Sequence, residues 1–224
     1  MNSRAGPRKL GTPTILALLV ALAGPPLIAL TSNWWLRETS SLGTLLALQI
    51  VYCGLAVFVI WTVVRRERLP LTSVGLRAPA WSTIGSAFLL WVVAFQLLPI
   101  LTVPLRDAFG SGVAPASLRR LALLPLWFRL LLAITGAVVE ELLYRGYAIE
   151  RLAQLTGRRW RAGAIAAVAF GLAHVPAWGI RYALAADLPF GIVATAFYLW
   201  RRDLVANVLA HGAGLIAGVL VVSP

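Results

Sequence analysis

Apolar residues run along this chain in long blocks, and short groups of charged residues, prolines and glycines separate them. Seven such blocks cover about 12 to 32, 42 to 64, 81 to 105, 121 to 148, 162 to 178, 184 to 200 and 203 to 222. A hydrocarbon core roughly 30 Å thick takes about 20 residues of helix, so the pattern predicts an all-α, polytopic transmembrane helical bundle of about seven spans. The first block follows Arg4, Arg8 and Lys9 and holds Ala21, Leu22 and Ala23, so it also resembles a secretory signal peptide. Pro26 to Leu30 prolong it and six further blocks follow, which favours a retained helix. Prolines such as Pro25, Pro26, Pro99 and Pro104 interrupt the blocks, as membrane helices tolerate.

Composition agrees with lipid as the solvent. Of the 224 residues, 60% are hydrophobic and 12% charged, and the mean hydropathy is +0.84, well beyond an ordinary soluble domain. A net charge of +12 would point to nucleic acid in a soluble protein. Here the basic residues mark the connections between apolar blocks, and no nucleic-acid partner is expected. Alternate connections hold 13 and 5 of them. The richer set is the amino terminus, Arg65 to Arg77, Arg151 to Arg161, and Arg201 with Arg202. The poorer set is Arg37, Arg106, Arg119, Arg120 and Arg181. That bias puts the amino terminus on the cytoplasmic side of a cell (inner) membrane. Arginine supplies 19 of the 20 basic residues, which suggests a GC-rich bacterial source. Trp34, Trp35, Trp81, Trp160 and Trp200 stand at block ends, where interfacial anchoring suits them. Cys53 is the only cysteine, so neither a disulfide framework nor a thiolate metal cluster is available.

Most acids (Glu38, Glu67, Asp107, Glu150, Asp187 and Asp203) fall in or beside connections. Glu140 and Glu141 do not. A carboxylate inside a span costs on the order of 2.5–3.5 kcal/mol on insertion scales, so these two call for an explanation. Helical neighbours point about 100° apart, and the two cannot easily share one role. Glu141 pairs with Arg145 at i+4 in the favourable order, while Glu140 faces the direction of Gly136 and Tyr144. An interfacial ion-pair cluster would account for Glu141 and Arg145 but leaves Glu140 without a local partner.

The only histidines, His174 and His211, also lie in apolar blocks. From helical rise, Glu140 is expected about 12 Å from the cytoplasmic end of its helix, His211 about 12 Å above Asp203 and His174 about 20 Å above Arg161. All three can then face one cavity open to the cytoplasm. Two imidazoles and a carboxylate are the ligand set of a catalytic zinc site with one open position, and equally a metal-free arrangement for activating water. Zn2+ is therefore the expected cofactor if a metal is used, held by Glu140, His174 and His211. Asn207, one turn before His211, is placed either to donate to an oxyanion or to serve as a helix-start residue near Asp203. Gly212, Ala213, Gly214 and Gly218 permit close approach of another helix or of a substrate backbone. Gly110 to Gly112 reads as a flexible connection, and neither a His-Glu-x-x-His helix nor a phosphate-binding loop is present.

Residues Glu140 to Arg145, then Phe170 to His174, then His211 resemble the three motifs of the CAAX-protease and bacteriocin-processing family of intramembrane proteases. The resemblance covers roughly 72 to 222, including Leu71 to Pro79, and divides the chain into amino-terminal transmembrane helices (1–70) and a protease core (71–224). It implies an intramembrane endopeptidase, a metalloendopeptidase if a metal is used, acting on a peptide or membrane-protein substrate beside the lipid bilayer. By that analogy Glu140 is the general base, His174 holds the water or a metal, and His211 stabilises the oxyanion or binds metal. Glu141 and Arg145 fix the helix, Phe170 packs, and Tyr144 and Asn207 support the site. Relatives carry Asn or Asp four residues after the last histidine, where this chain has Leu215. A catalytically weakened member acting as a membrane scaffold or bacteriocin-immunity protein is the alternative that Leu215 raises, with a small transporter third. Prenylated substrates do not suit a bacterial source.

Overall fold

A computed structural model describes residues 10–35, 41–113 and 115–221. Arg4, Arg8, Lys9, Arg37 and Glu38 lie outside the described residues, as do the side chains of Trp34 and Trp35. Seven helical rods appear: α1 (Thr12–Trp35), α2 (Leu42–Arg66), α3 (Trp81–Ala108), α4 (126–156), α5 (Arg159–Ala173), α6 (Ile180–Arg201) and α7 (Leu204–Val221). A 3-10 turn at Leu71–Val74 and short helices at Ala116–Ala122 and Val175–Trp178 join them. The described residues contain no strand.

Five rods (α1, α2, α3, α6 and α7) are long and apolar enough to cross a membrane. The other two revise the expected spans. The fourth runs from Leu126 to Thr156 rather than 121 to 148, and every residue from Glu141 to Leu152 is buried. Helices α1, α2, α5 and α7 surround it, so its charges meet protein rather than lipid. That enclosure is why a helix richer in charge than its neighbours sits at the centre of the bundle. Glu150 and Arg151, expected in a connection, are buried on its last turns, 7% and 2% exposed. The fifth block, expected to span 162 to 178, forms a helix of 15 residues that stops at Ala173. At 1.5 Å per residue it reaches only about 22 Å, short of a full crossing, and leaves His174 at its inner end.

Lipid-facing positions are the large ones, such as Leu16, Ile50, Val57, Phe88 and Ile100, while the interior is rich in alanine, threonine and tyrosine. Small residues bring helices together. A side chain on Gly163 would meet Leu199 and Thr195, one on Gly171 would meet Leu188, and one on Gly191 would meet Phe170, so α5 and α6 pack almost backbone to backbone. In α7, Gly214 makes room for the Phe95 ring and Gly212 faces Ala137, but Gly218 has open space around it. Close approach thus explains the first two glycines and not the third. In α3 and α6 a widened π turn, Val92–Leu97 and Ala183–Asp187, comes just before a proline, Pro99 and Pro189. A proline lacks the N–H its turn needs, and the wider turn absorbs that loss without breaking the rod.

Polar ties set the register between rods. Gln49 on α2 donates to the Thr135 hydroxyl on α4. Asp203 caps α7 by accepting from the Ala206 N–H at 3.1 Å and accepts from Thr83 of α3 at 2.6 Å. Gly75, at φ 78°, lies against Tyr198 where no side chain fits, and its carbonyl accepts from the Leu204 N–H at 2.9 Å. Trp160 and Trp200, 60% and 64% exposed, each carry an arginine over the ring, Arg161 and Arg201. Trp81 is 91% exposed.

Just beyond α2, the Glu67 carboxylate receives Arg151 through Nε at 3.0 Å and Nη2 at 2.6 Å, and the Tyr147 hydroxyl at 2.8 Å. Burial pushes the Glu67 carboxyl up, but Arg151 outweighs it, and the group is held below its ordinary value. Replacing the arginine as Arg151→Ala removes the partner of a nearly buried carboxylate and lowers unfolding free energy in detergent at pH 7 by about 2–3 kcal/mol. Because the folded-state value is depressed, the pair contributes fully above the ordinary carboxylate range and its contribution is lost as pH falls through the folded value. The gap between wild type and Arg151→Ala, read by denaturant unfolding, therefore narrows below about pH 4.

Candidate functional site

The contact of Gly146 with Leu204 sets α4 and α7 side by side, and from there each helix rises to an ionisable residue. Glu140 lies six residues above Gly146 and His211 seven above Leu204, so both arrive at about 10 Å on the helical rise. The inner end of α5 delivers His174 to the same level. One oxygen of Glu140, Oε2, is 4.0 Å from Nε2 of His174 and 4.0 Å from Nε2 of His211. The three residues singled out from the apolar blocks thus converge on one point. Measured to the end of its helix, Glu140 lies about 24 Å up rather than the expected 12 Å, because α4 continues to Thr156.

Each histidine is oriented from behind. Nδ1 of His174 donates to the carbonyl of Phe170 at 2.8 Å, an atom that can only accept, so in the neutral ring Nε2 carries the lone pair. Nδ1 of His211 meets Oε1 of Glu141 at 2.9 Å. With the carboxylate ionised, this nitrogen donates, and Nε2 again points its lone pair toward Glu140. Phe170 packs against His174 and Phe190 against His211 with tilted rings, each pair of ring centroids 4.6 Å apart. Phe170 is thus both packing and, through its carbonyl, the group that orients His174.

Glu141 is fully buried and turned away from Glu140. Its Oε1 also accepts from Arg145 at 2.9 Å, and its Oε2 accepts from Asn207 at 3.2 Å. Arg145 has no exposure, and its guanidinium lies 4.0 Å from the ring centre of Phe170 and 5.7 Å from that of Phe190. The i+4 pair read from the chain is present, but it holds His211 as well, which the local reading of a helix-borne pair does not include. Asn207 is used up in the same way. Its amide donates to Glu141 and, at 2.9 Å, to the carbonyl of Ala194, so it has no hydrogen left for an oxyanion. Nor does it start the helix, since Asp203 is the cap.

Two residues near Glu140 escaped the sequence reading. Tyr52, from α2, donates to Oε1 of Glu140 at 3.2 Å and so leaves Oε2 as the oxygen that faces the histidines. A tyrosine in an apolar run next to Cys53 carries no signal that separates it from a packing residue. Asp187, expected at a connection, lies within α6 in electrostatic reach of His174, Glu140 and His211, and its Oδ2 is buried without a partner among the described residues. Leu215, where the resemblance leads to an expected Asn or Asp, packs beside Gly136, one turn before Glu140.

A cavity of about 150 Å³ opens over this cluster, lined by Glu140, His174, Tyr52, Tyr144, Trp178 and Pro25. The spacing decides what it holds best. Ligands on one zinc at about 2.0–2.1 Å in tetrahedral geometry stand about 3.3 Å apart. The two separations here are 4.0 Å, and no group of three His, Cys, Asp or Glu among the described residues is arranged to hold a metal ion. A water at about 2.8 Å from each acceptor bridges 4.0 Å comfortably. As arranged, the set fits a water and not a tetrahedral metal.

Residues 122–214 match the family described as type II CAAX prenyl endopeptidase Rce1-like. The matched segment contains all three motifs at 140–145, 170–174 and 211 but stops short of Leu71 to Pro79, which the resemblance had included. The match agrees with the CAAX-protease and bacteriocin-processing family and supports an intramembrane endopeptidase of CAAX-protease type at the level of the family. No curated protein and no solved structure matches the chain.

The two adjacent carboxylates separate in a measurement that needs no substrate. Glu141→Gln strips the charge opposite a fully buried Arg145 and lowers unfolding free energy in proteoliposomes by about 3 kcal/mol. Glu140→Gln keeps an acceptor for Tyr52, and its unfolding free energy stays within about 0.5 kcal/mol of wild type.

Proposed function

With residues 122–214 matched by the type II CAAX prenyl endopeptidase Rce1-like family, we propose that this protein is an intramembrane endopeptidase that hydrolyses a membrane-proximal peptide segment with water activated by Glu140. The observation that carries this reading is the convergence of both histidine Nε2 atoms on Oε2 of Glu140, each at 4.0 Å. Glu140 Oε2 takes a proton from the water as its oxygen attacks the scissile carbonyl carbon. His174, its tautomer set by Phe170, accepts the other hydrogen of the water and directs the attacking lone pair. His211, held from behind by Glu141, faces the developing oxyanion and donates to it when Nε2 carries a proton. Glu140 then returns the proton to the leaving amine as the C–N bond breaks. No step passes through a metal.

Cytoplasmic access, an inner-membrane location and an amino terminus inside fit the bias of basic residues between alternate connections, which stays at 12 to 5 once Arg151 is taken out of the connections and placed inside α4. Under this reading the substrate is a peptide or membrane-protein segment beside the bilayer, and nucleic acid is not a partner. The second reading, a weakened member serving as a scaffold or immunity protein, is favoured by one observation: the apolar Leu215 beside Gly136.

Mass-spectrometric profiling of new amino termini in membranes of the source cells tests both. Termini present with wild type and lost, by at least about 100-fold, in Glu140→Gln and His174→Ala support hydrolysis. Folded, inserted variants that retain every terminus overturn it. Under the scaffold reading Leu215→Asn yields no gain in cleavage while a partner protein still co-purifies.

A further inference from the structure

Attack on a peptide carbonyl leaves negative charge on its oxygen, and sites that catalyse the step aim more than one donor at that atom. Few donors in this site are free for that role. Asn207 has committed its amide to Glu141 and to Ala194. Position 215 is a leucine, and the Tyr52 hydroxyl is bound to Glu140. Arg145 lies over the rings of Phe170 and Phe190 behind Glu141 and does not line the cavity. One donor remains. Tyr144 lines the cavity, stands one turn after Glu140 on the π-widened stretch Glu141–Ala148, and has no exposed surface. Its hydroxyl has no hydrogen-bond partner among the described residues.

An unpartnered buried hydroxyl is costly, and phenylalanine would keep the edge-on contact with Phe170, 5.3 Å between ring centres, without that cost. A hydroxyl retained under such conditions points to a ligand atom that arrives later. Widened turns inside helices recur at functional sites for the same reason: they re-aim a side chain.

We propose that Tyr144 is a catalytic residue, whose phenol O–H donates to the scissile carbonyl oxygen as it becomes an oxyanion and so supplies the donor that Leu215 lacks. The proposal rests on the hydrolytic reading above. As the water oxygen bonds to the carbonyl carbon, its O–H bond breaks toward Glu140 Oε2 and the C=O π pair moves onto the oxygen. Tyr144 keeps its proton and hydrogen-bonds that oxygen. When the pair returns, the C–N bond breaks and the nitrogen collects the proton from Glu140. The tyrosine neither gains nor loses a proton over the cycle.

The test is Tyr144→Phe beside Glu140→Gln. Source-cell membranes are profiled for new amino termini, and a synthetic peptide copying the strongest Glu140-dependent terminus is then cleaved by purified protein in liposomes. Expected is a kcat lower by about 100-fold with KM within about threefold, the size of one lost oxyanion donor. The unfolding temperature of Tyr144→Phe is expected equal to or above wild type, because the hydroxyl has no partner to lose. Full kcat in Tyr144→Phe with cleavage abolished in Glu140→Gln overturns the proposal and leaves the hydrolytic reading intact. A fall in kcat accompanied by a lower unfolding temperature also overturns it, by making the hydroxyl structural. Termini that persist in Glu140→Gln overturn the hydrolytic reading and this inference together.

Discussion

Burying the Glu141 carboxylate away from both water and lipid carries a large desolvation cost, and three donors from two helices meet it: Arg145, His211 and Asn207. The rest of the site hangs on that arrangement. Arg145 and Glu141 share α4, while His211 and Asn207 share α7, so satisfying one carboxylate fixes the register of the two helices against each other. The guanidinium of Arg145 then faces Phe170 of α5 and Phe190 of α6, so the same ion pair reaches four helices. Removing any member leaves a charge or a donor stranded where nothing else can take its place. This chemistry explains why the most charged rod is the central one.

Adjacent carboxylates thereby acquire opposite duties. A helical step of about 100° separates Glu140 from Glu141. One points into the bundle and holds structure, and the other points into the cavity with its side chain 17% exposed. Tyr52 adds a second constraint by taking one oxygen of Glu140, which leaves the other for the histidines. The proposed chemistry needs this division, because a carboxylate that balances an arginine is a poor proton acceptor.

The membrane bundle was legible in the chain because runs of leucine, valine and alanine punctuated by arginine have few other uses. Glu140, His174 and His211 were legible because an ionisable residue in an apolar run must meet a partner, and only a shared cavity supplies one to all three. The misreadings have a common cause. Hydropathy measures how well a segment tolerates lipid, so it cut the fourth helix at 148, where charges begin, although those charges are paired inside the protein with Glu67, Tyr198 and Arg202. The same measure carried the fifth block past the break at His174, since the short helix Val175–Trp178 beyond it is as apolar as the one before. Tyr52 and the double commitment of Asn207 were beyond reach, because both depend on which helices become neighbours.

The cavity above Glu140 holds about 150 Å³. Under the proposed hydrolysis the carbonyl of the scissile bond has to be free within that cavity, whereas inside a helix each carbonyl is bonded to the N–H four residues on. A transmembrane substrate of that reaction therefore has to unwind over a residue or two before its peptide bond can react. Unwinding in lipid strands backbone hydrogen bonds, so it is cheapest next to proline or glycine, or where a helix frays at the bilayer surface. Selection in such a site is exercised on the local instability of the visiting chain more than on the identity of its side chains, and a stable helix is protected from cleavage by its own hydrogen bonds.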